Sequence, residues 1–224
     1  MITVVGGTKG GSGKSTVATN LAVMLSLAGR DVLLVDADDQ ETSKDFTSLR
    51  NERIARGAGY TCISLTGKAV YTETRRLAEK HGEIIIDCGG RDTASQRAAL
   101  TLCHTYLVPF VPRSFDVWTL DKVAALIEEV RTVNPGFKAY AFLNRADPKG
   151  TDNQDAAGFL SSTAALQYLQ APLGHRKAYA NAASQGLSVV ELRPADPKAM
   201  EEIGKLFGYL YDIQTISELQ RVRA

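Results

Sequence analysis

The sequence predicts an α/β fold, a mostly parallel β-sheet flanked by helices, and three observations predict it. Short apolar runs without polar alternation recur along the chain and read as strands covered on both faces. Helical periodicity fills stretches between them. A glycine-dense loop, Gly6 to Gly13, joins the first run to the first helical pattern. Parallel strands need crossover connections, which an alternation of strand and helix supplies. In such sheets, ligands bind beyond the carboxyl ends of the strands.

Ile2 to Val5 is rich in β-branched residues and forms the first strand. The helix that begins near Lys14 places Val17, Leu21, Met24 and Leu25 at steps of three and four, and Gly29 ends it. A second apolar run, Val32 to Val35, stops at Asp36, and a third, Ile84 to Ile86, stops at Asp87. Two more strands are expected at Tyr106 to Phe110 and Ala139 to Leu143. The clearest later helix is Leu120 to Val133, with Leu120, Val123, Ala124, Ile127 and Val130 along one face. A polar loop (Ala146 to Asp155), a helix, a turn around Pro172 to Gly174 and a helix from about Pro197 to Asp212 complete the chain. With no internal repeat and no linker, residues 1–224 read as one domain.

Composition narrows the function. Across 224 residues, 26 Lys and Arg oppose 25 Asp and Glu, a formal net charge of +1, which excludes a protein whose whole surface attracts anions. Cys62, Cys88 and Cys103 are odd in number and form no CxxC pair, as suits reduced buried thiols. His81, His104 and His175 have no metal-ligand spacing with them, so no structural metal is expected. The amino terminus lacks a leader pattern, and no run reaches the length of a membrane span, so a cytoplasmic protein is expected.

The strongest chemical signal is Lys9-Gly10-Gly11-Ser12-Gly13-Lys14-Ser15-Thr16, between a strand and a helix. Glycines let successive N–H groups turn inward around phosphate oxygens, and the helix N-terminus adds partial positive charge. Lys14 would reach the β and γ phosphates and the Ser15 hydroxyl would ligate Mg2+. The strict GxxxxGK[ST] pattern has glycine where Thr8 stands, so this loop is a variant that carries a second lysine, Lys9.

KGGxGK[ST] resembles the signature of the deviant P-loop ATPases, the group containing ParA, MinD and the nitrogenase iron protein. The resemblance implies a P-loop NTPase fold, ATP and Mg2+ as cofactors, and an ATP-dependent homodimer in which Lys9 reaches the phosphates bound by the second copy. Leu33-Leu34-Val35-Asp36-Ala37-Asp38-Asp39-Gln40 resembles the family's second motif. By that likeness Asp38 positions the attacking water and Asp36 supports the magnesium shell, while Asp39 replaces the usual proline. Ile84-Ile85-Ile86-Asp87-Cys88-Gly89-Gly90 resembles the Walker B strand and its switch. There Asp87 would hold magnesium through a water, and Gly89 replaces a common proline. Asn144, in Leu143-Asn144-Arg145, stands where the family often reads adenine, and a plain turn asparagine explains it nearly as well.

The run Val108 to Val111 with Pro112, together with Gly186 to Glu191 and Asp196-Pro197-Lys198, resembles the short ParA partition ATPases. That likeness implies non-specific DNA binding, a nucleoid-associated protein, and a ParB-like or small centromere-binding partner that helps segregate plasmid or chromosome DNA. Longer ParA proteins carry an N-terminal helix-turn-helix, which is not expected here because the first strand begins at Ile2. Arg176, Lys177, Arg193, Lys198 and Lys205 are the candidate phosphate contacts. Two modest basic patches brought together on one dimer would bind DNA by avidity without a large net charge. Within the same ATPase class, the cargo could instead be a protein assembly such as a carboxysome or chemoreceptor cluster. A MinD-like membrane ATPase would need an amphipathic terminal helix with a basic face. Leu206, Phe207, Leu210 and Tyr211 lie near Glu201, Glu202 and Asp212, which suits core packing better. An iron–sulfur reductase would need a bridging cysteine pair that Cys88 and Cys103 supply poorly, and no substrate pocket of a small-molecule synthetase is evident.

Overall fold

The structure, a computed structural model, describes residues 1–114, 117–147 and 151–211. In chain order it runs β1 (Ile2–Val5), α1 (Lys14–Leu27), β2 (Val32–Ala37), α2 (Thr42–Arg53), β3 (Thr61–Ser64) and α3 (Ala69–Leu77). There follow β4 (Glu83–Cys88), α4 (Ala94–Leu100), β5 (Thr105–Phe110), α5 (Val117–Arg131), β6 (Lys138–Ala146) and α6 (Asp152–Ser162). The last elements are β7 (Gln167–Tyr168), β8 (Leu173–Gly174), α7 (Lys177–Ala183) and α8 (Pro197–Tyr211).

The strands form a parallel sheet in the order β3-β2-β4-β1-β5-β6-β7, with β8 paired to β6 beside this path. The expected α/β architecture is the one observed. Successive strand residues face opposite layers, as the pleat requires. Val4, Leu33, Ile84, Ile86 and Val108 pack with Val70, Leu100, Ile127 and Leu160 of α3, α4, α5 and α6. Val5, Leu34, Ile85, Leu107 and Phe142 pack instead with Leu21, Ala182 and Phe207 of α1, α7 and α8. Burial on both sides explains why the strand sequences are continuous apolar runs. β1 lies between β4 and β5; the connection from β1 runs to β2 on one side and that from β4 runs to β5 on the other, which opens a crevice at the carboxyl ends of these two strands.

Two elements carried no apolar signal. α2 reads TSKDFTSLRNER, and of its buried residues Ser43, Phe46, Thr47 and Arg50 only one is hydrophobic. β3 is a half-exposed strand at the end of the sheet order. The helix expected from Leu120 to Val133 begins at Val117 and ends at Arg131, leaving Val133 65% exposed. The turn expected at Pro172 to Gly174 contains the short strand β8, which caps the end of β6. Part of the polar loop expected from Ala146 to Asp155, and the helix end expected at Asp212, lie outside the described residues.

Candidate functional site

The glycine loop leaves β1 with its base pinned: Gly6 N–H donates to Leu107 O (3.1 Å) and Gly7 N–H to Gln96 Oε1 (2.9 Å). It ends at Gly13, whose left-handed φ of 86° turns the chain into α1. A side chain there would also collide, since a Cβ would lie 2.3 Å from Asn144 Nδ2. Lys14, Ser15 and Thr16 make the first turn of α1, where backbone N–H groups have no intrahelical acceptor. All three line a cleft of about 1240 Å³, whose wall also includes Asp38, Asn144 and Arg176. Lys14 is only 6% exposed, and its Nζ donates to Lys9 O (3.0 Å). Burial lowers its pKa, opposed by the nearby charges of Asp87 and Asp38. An ammonium held this way, beside unpaired N–H groups, is prepared for phosphate oxygens.

The acids come from two neighbouring strands. β2 and β4 pair in a register that sets Asp36 against Asp87. Asp36 accepts the Asp38 N–H at Oδ1 (3.1 Å) and the Lys44 N–H at Oδ2 (2.9 Å), so it holds the turn after β2 and the start of α2. Burial raises its pKa, and those backbone donors pull it partly back. Asp87 is fully buried, accepts the Ser43 hydroxyl at Oδ2 (2.7 Å), and has no hydrogen-bond partner at Oδ1. Burial pushes its carboxyl up to about 7 against the nearby Ser15 and Ser43 hydroxyls. A buried carboxylate oxygen without a donor, beside a helix-start hydroxyl, fits an octahedral Mg2+ bound through Ser15 and water. Among the described residues no cluster of three or more His, Cys, Asp or Glu could hold a metal, so water or phosphate oxygens would complete the shell of such an ion.

Asp38 lies half-buried over the switch after β4: a Cβ on Gly89 would come within 3.2 Å of Asp38 Oδ1, which accepts the Gln40 N–H (3.2 Å). Gly90 touches the phosphate loop itself, since a Cβ there would lie 2.6 Å from Gly10 Cα. One crevice thus gathers a lysine-bearing phosphate loop, an unsatisfied buried aspartate and a second aspartate at the rim.

A family model described as "CobQ/CobB/MinD/ParA nucleotide binding domain" matches residues 3–189. The chain belongs to that nucleotide-binding family. Two proteins named "Maintenance of carboxysome distribution protein A" are similar to it. The one from Halothiobacillus neapolitanus is 28% identical over 88% of this chain and 90% of its own length. The one from Gloeobacter kilaueensis is 28% identical over 86% of this chain and 85% of its own. Among solved structures, an ATP complex of McdA from Cyanothece shares the fold at TM-score 0.78 and 17% identity, covering 96% of this chain and 97% of that one. A plasmid partition protein from Borrelia burgdorferi does so at TM-score 0.67 and 18% identity, covering 95% and 98%.

Against this ParA/MinD-type frame, Gly10, Gly11, Gly13, Lys14, Ser15, Thr16 and Asp38 line the crevice, Ser12 borders a separate small groove, and Asp36 and Asp87 are buried behind the lining, with Asp87 close enough to act on the charge of Lys14. Lys9 does not line the main cleft: it is exposed and borders a shallow groove with Phe110, Thr119 and Val123. Asn144 is buried and makes loop contacts rather than pointing freely into the cleft. Its Nδ2 donates to Ser12 O (2.7 Å) and its Oδ1 accepts the Arg145 N–H (3.0 Å). Of the expected DNA-facing set, Arg176 and Lys177 line the cleft wall, and Arg176 is paired with Glu202 at 2.9 and 2.6 Å. Lys177, Arg193, Lys198 and Lys205 are exposed. Cys88 and Cys103 are buried, which leaves no surface thiol pair from those two for a cluster shared between copies. Leu206 and Phe207 are buried in the core, and Leu210 and Tyr211 pack against it. No described helix is long and apolar enough to cross a membrane.

Ser43, Gln96 and Arg145 were missed by sequence reasoning. A hydroxyl in the first turn after an acidic loop is a faint signal for Ser43. Gln96 and Arg145 act through contacts 89 and 134 residues away in sequence, which no local pattern announces.

Proposed function

We propose that this chain is a magnesium-dependent ATPase that positions cargo by an ATP-driven cycle of dimerisation and non-specific DNA binding. The observation that carries it is the gathering of Asp38 and the Ser43-bonded Asp87 near the buried Lys14 of the phosphate loop. The loop N–H groups and Lys14 would bind the β and γ phosphates, Ser15 and Asp87, with Asp36 behind them, would hold Mg2+, and Asp38 would align the attacking water. Bound magnesium would supply neutralisation of charge on the phosphates. The exposure of Lys9 outside its own cleft supports a contact with the phosphates of a second copy, which would make turnover depend on dimerisation. Asn144 would brace Ser12 and so shape the nucleotide site from the base side.

The two curated relatives at 28% identity favour a protein assembly of the carboxysome kind as the cargo, served by an adaptor protein. Plasmid or chromosome segregation with a ParB-like partner is the second reading, supported by the fold shared with a plasmid partition protein. Both place the protein on the nucleoid in the cytoplasm. A MinD-like membrane role is not favoured, since Leu206, Phe207, Leu210 and Tyr211 of α8 are engaged in the core.

DNA pelleting with ATP or ADP across a salt series tests the cycle. Retention with ATP alone, falling steeply with salt, is expected; equal retention in both nucleotide states sinks the switch. Arg193→Glu and Lys198→Glu should each weaken retention and lower the salt slope by about 1.

A further inference from the structure

The segment from Gly186 to Leu192 reaches two helices with buried polar groups. On one side is Arg50 in the last turns of α2, 3% exposed. Its Nη1 and Nη2 donate to Glu191 Oε2 (2.7 Å) and Oε1 (3.0 Å), its Nη1 also donates to Gly186 O (2.9 Å), and its Nε donates to Ala58 O (2.9 Å). Glu191 Oε2 accepts the Ser188 N–H as well (3.1 Å). On the other side is Asn20 of α1, 3% exposed. Its Oδ1 accepts the Ser188 hydroxyl (2.8 Å) and the Val189 N–H (2.9 Å), while its Nδ2 donates to Thr16 O (2.7 Å). Gly186 sits at a left-handed φ of 65°, and a Cβ there would lie 2.8 Å from Arg50 Cα, so the segment fits closely against α2.

The same two helices carry the site at their amino-terminal ends: Lys14 to Thr16 begin α1, and Ser43 and Lys44 at the start of α2 bond Asp87 and Asp36. Hydrophobic burial is non-directional, whereas a bidentate guanidinium–carboxylate pair and a side-chain amide with both ends bonded fix rotation and register. We propose that Arg50, Glu191 and Asn20 are positioning residues: the segment 186–192 is a brace that sets α2 against α1 and so holds Ser43 and Asp38 in line with the phosphate loop. Its effect on turnover rests on the ATPase reading; its effect on the position of α2 does not.

The test is the double variant Arg50→Met with Glu191→Leu, which removes both charges together so that neither is left buried alone; because it also takes partners from Gly186 O, Ala58 O and the Ser188 N–H, exchange is read relative to an amide of the central sheet, which carries any general loss of stability. Hydrogen exchange in nucleotide-free protein should show the Lys44 amide opening about tenfold faster relative to the Ile85 amide of the central sheet. ATP turnover should fall about tenfold while nucleotide affinity stays within about threefold, a separation that marks positioning rather than binding. A folded double variant with unchanged Lys44 exchange and unchanged turnover overturns the brace. Should the double variant not fold, Ser188→Ala, which removes only the hydroxyl bond to Asn20, is read the same way. The same shifts in smaller measure support the brace, and their absence refutes it. Wild-type protein that hydrolyses no ATP defeats the ATPase reading, and the exchange measurement still decides the brace.

Discussion

The Ser43 hydroxyl donates a 2.7 Å hydrogen bond to Asp87 Oδ2, joining the first turn of α2 to the carboxyl end of β4. It ties the segment after β2 to the buried carboxylate that the proposed function assigns to magnesium. Removing it in Ser43→Ala would leave a buried carboxylate with neither oxygen paired by Ser43. Stability should fall by about 1–3 kcal/mol, and half-saturation by magnesium should require a higher concentration. Urea denaturation and a magnesium titration of ATP turnover check both; an unchanged pair of values removes the link.

The raised Asp87 pKa predicts a pH dependence with a definite sign. Burial holds the folded carboxyl at about 7 against an ordinary value of 3.8, so between those values the folded state binds more protons than the unfolded chain. Asp87 therefore favours the fold most at the acidic end of that window and progressively less as pH rises towards 7. Asp36, also raised by burial, acts in the same direction, whereas the lowered Lys14 pKa acts oppositely on its own side. Asp87→Asn should flatten the decline in nucleotide-free stability between about pH 5 and pH 7. Parallel stability curves for the two proteins would count against the assignment.

Gly90 and Gly10 predict contrasting outcomes for the same substitution. In Gly90→Ala the new methyl meets Gly10 Cα at 2.6 Å and Gly10 N at 2.7 Å, both backbone atoms of the phosphate loop, whereas a Cβ at Gly10 meets nothing within 4 Å. Gly90→Ala should cost about 1–3 kcal/mol and weaken nucleotide binding, while Gly10→Ala leaves nucleotide-free stability within about 1 kcal/mol. Thermal denaturation of the two variants separates them, and equal losses would show that the switch does not rest on the loop.

Lys14→Gln and Asp38→Ala should divide binding from chemistry. Lys14 is the buried ammonium of the phosphate loop, so its loss should weaken ATP binding itself. Asp38 sits at the rim of the cleft, so its loss should leave nucleotide binding near normal and reduce turnover about 100-fold or more. Calorimetry of nucleotide binding alongside phosphate release in the presence of the partner is the measurement. Near-normal turnover of Asp38→Ala would take Asp38 out of the water-positioning role.

Much of this molecule is local and was therefore visible in the linear sequence. The five apolar runs became strands because residues buried on both faces of a parallel sheet leave an unbroken hydrophobic trace. Lys14, Ser15, Asp36, Asp38 and Asp87 could be proposed from the sequence because a glycine loop before a helix and acids at strand ends occupy short stretches of chain. α2 left no such trace: its buried positions include Ser43 and Arg50, which donate to the distant acceptors Asp87 and Glu191, and Thr47, which donates to Ser43 O one turn back, so hydrogen bonds rather than apolar character compensate their burial. Tertiary structure alone decided which charges face outward and which are neutralised. It turned Arg176 to Glu202 and Arg50 to Glu191, pointed Asn144 at Ser12, and left Asp87 Oδ1 without a donor. A charged or polar group takes its role from the partners that desolvation forces on it, and for Arg50 that partner lies 141 residues away along the chain.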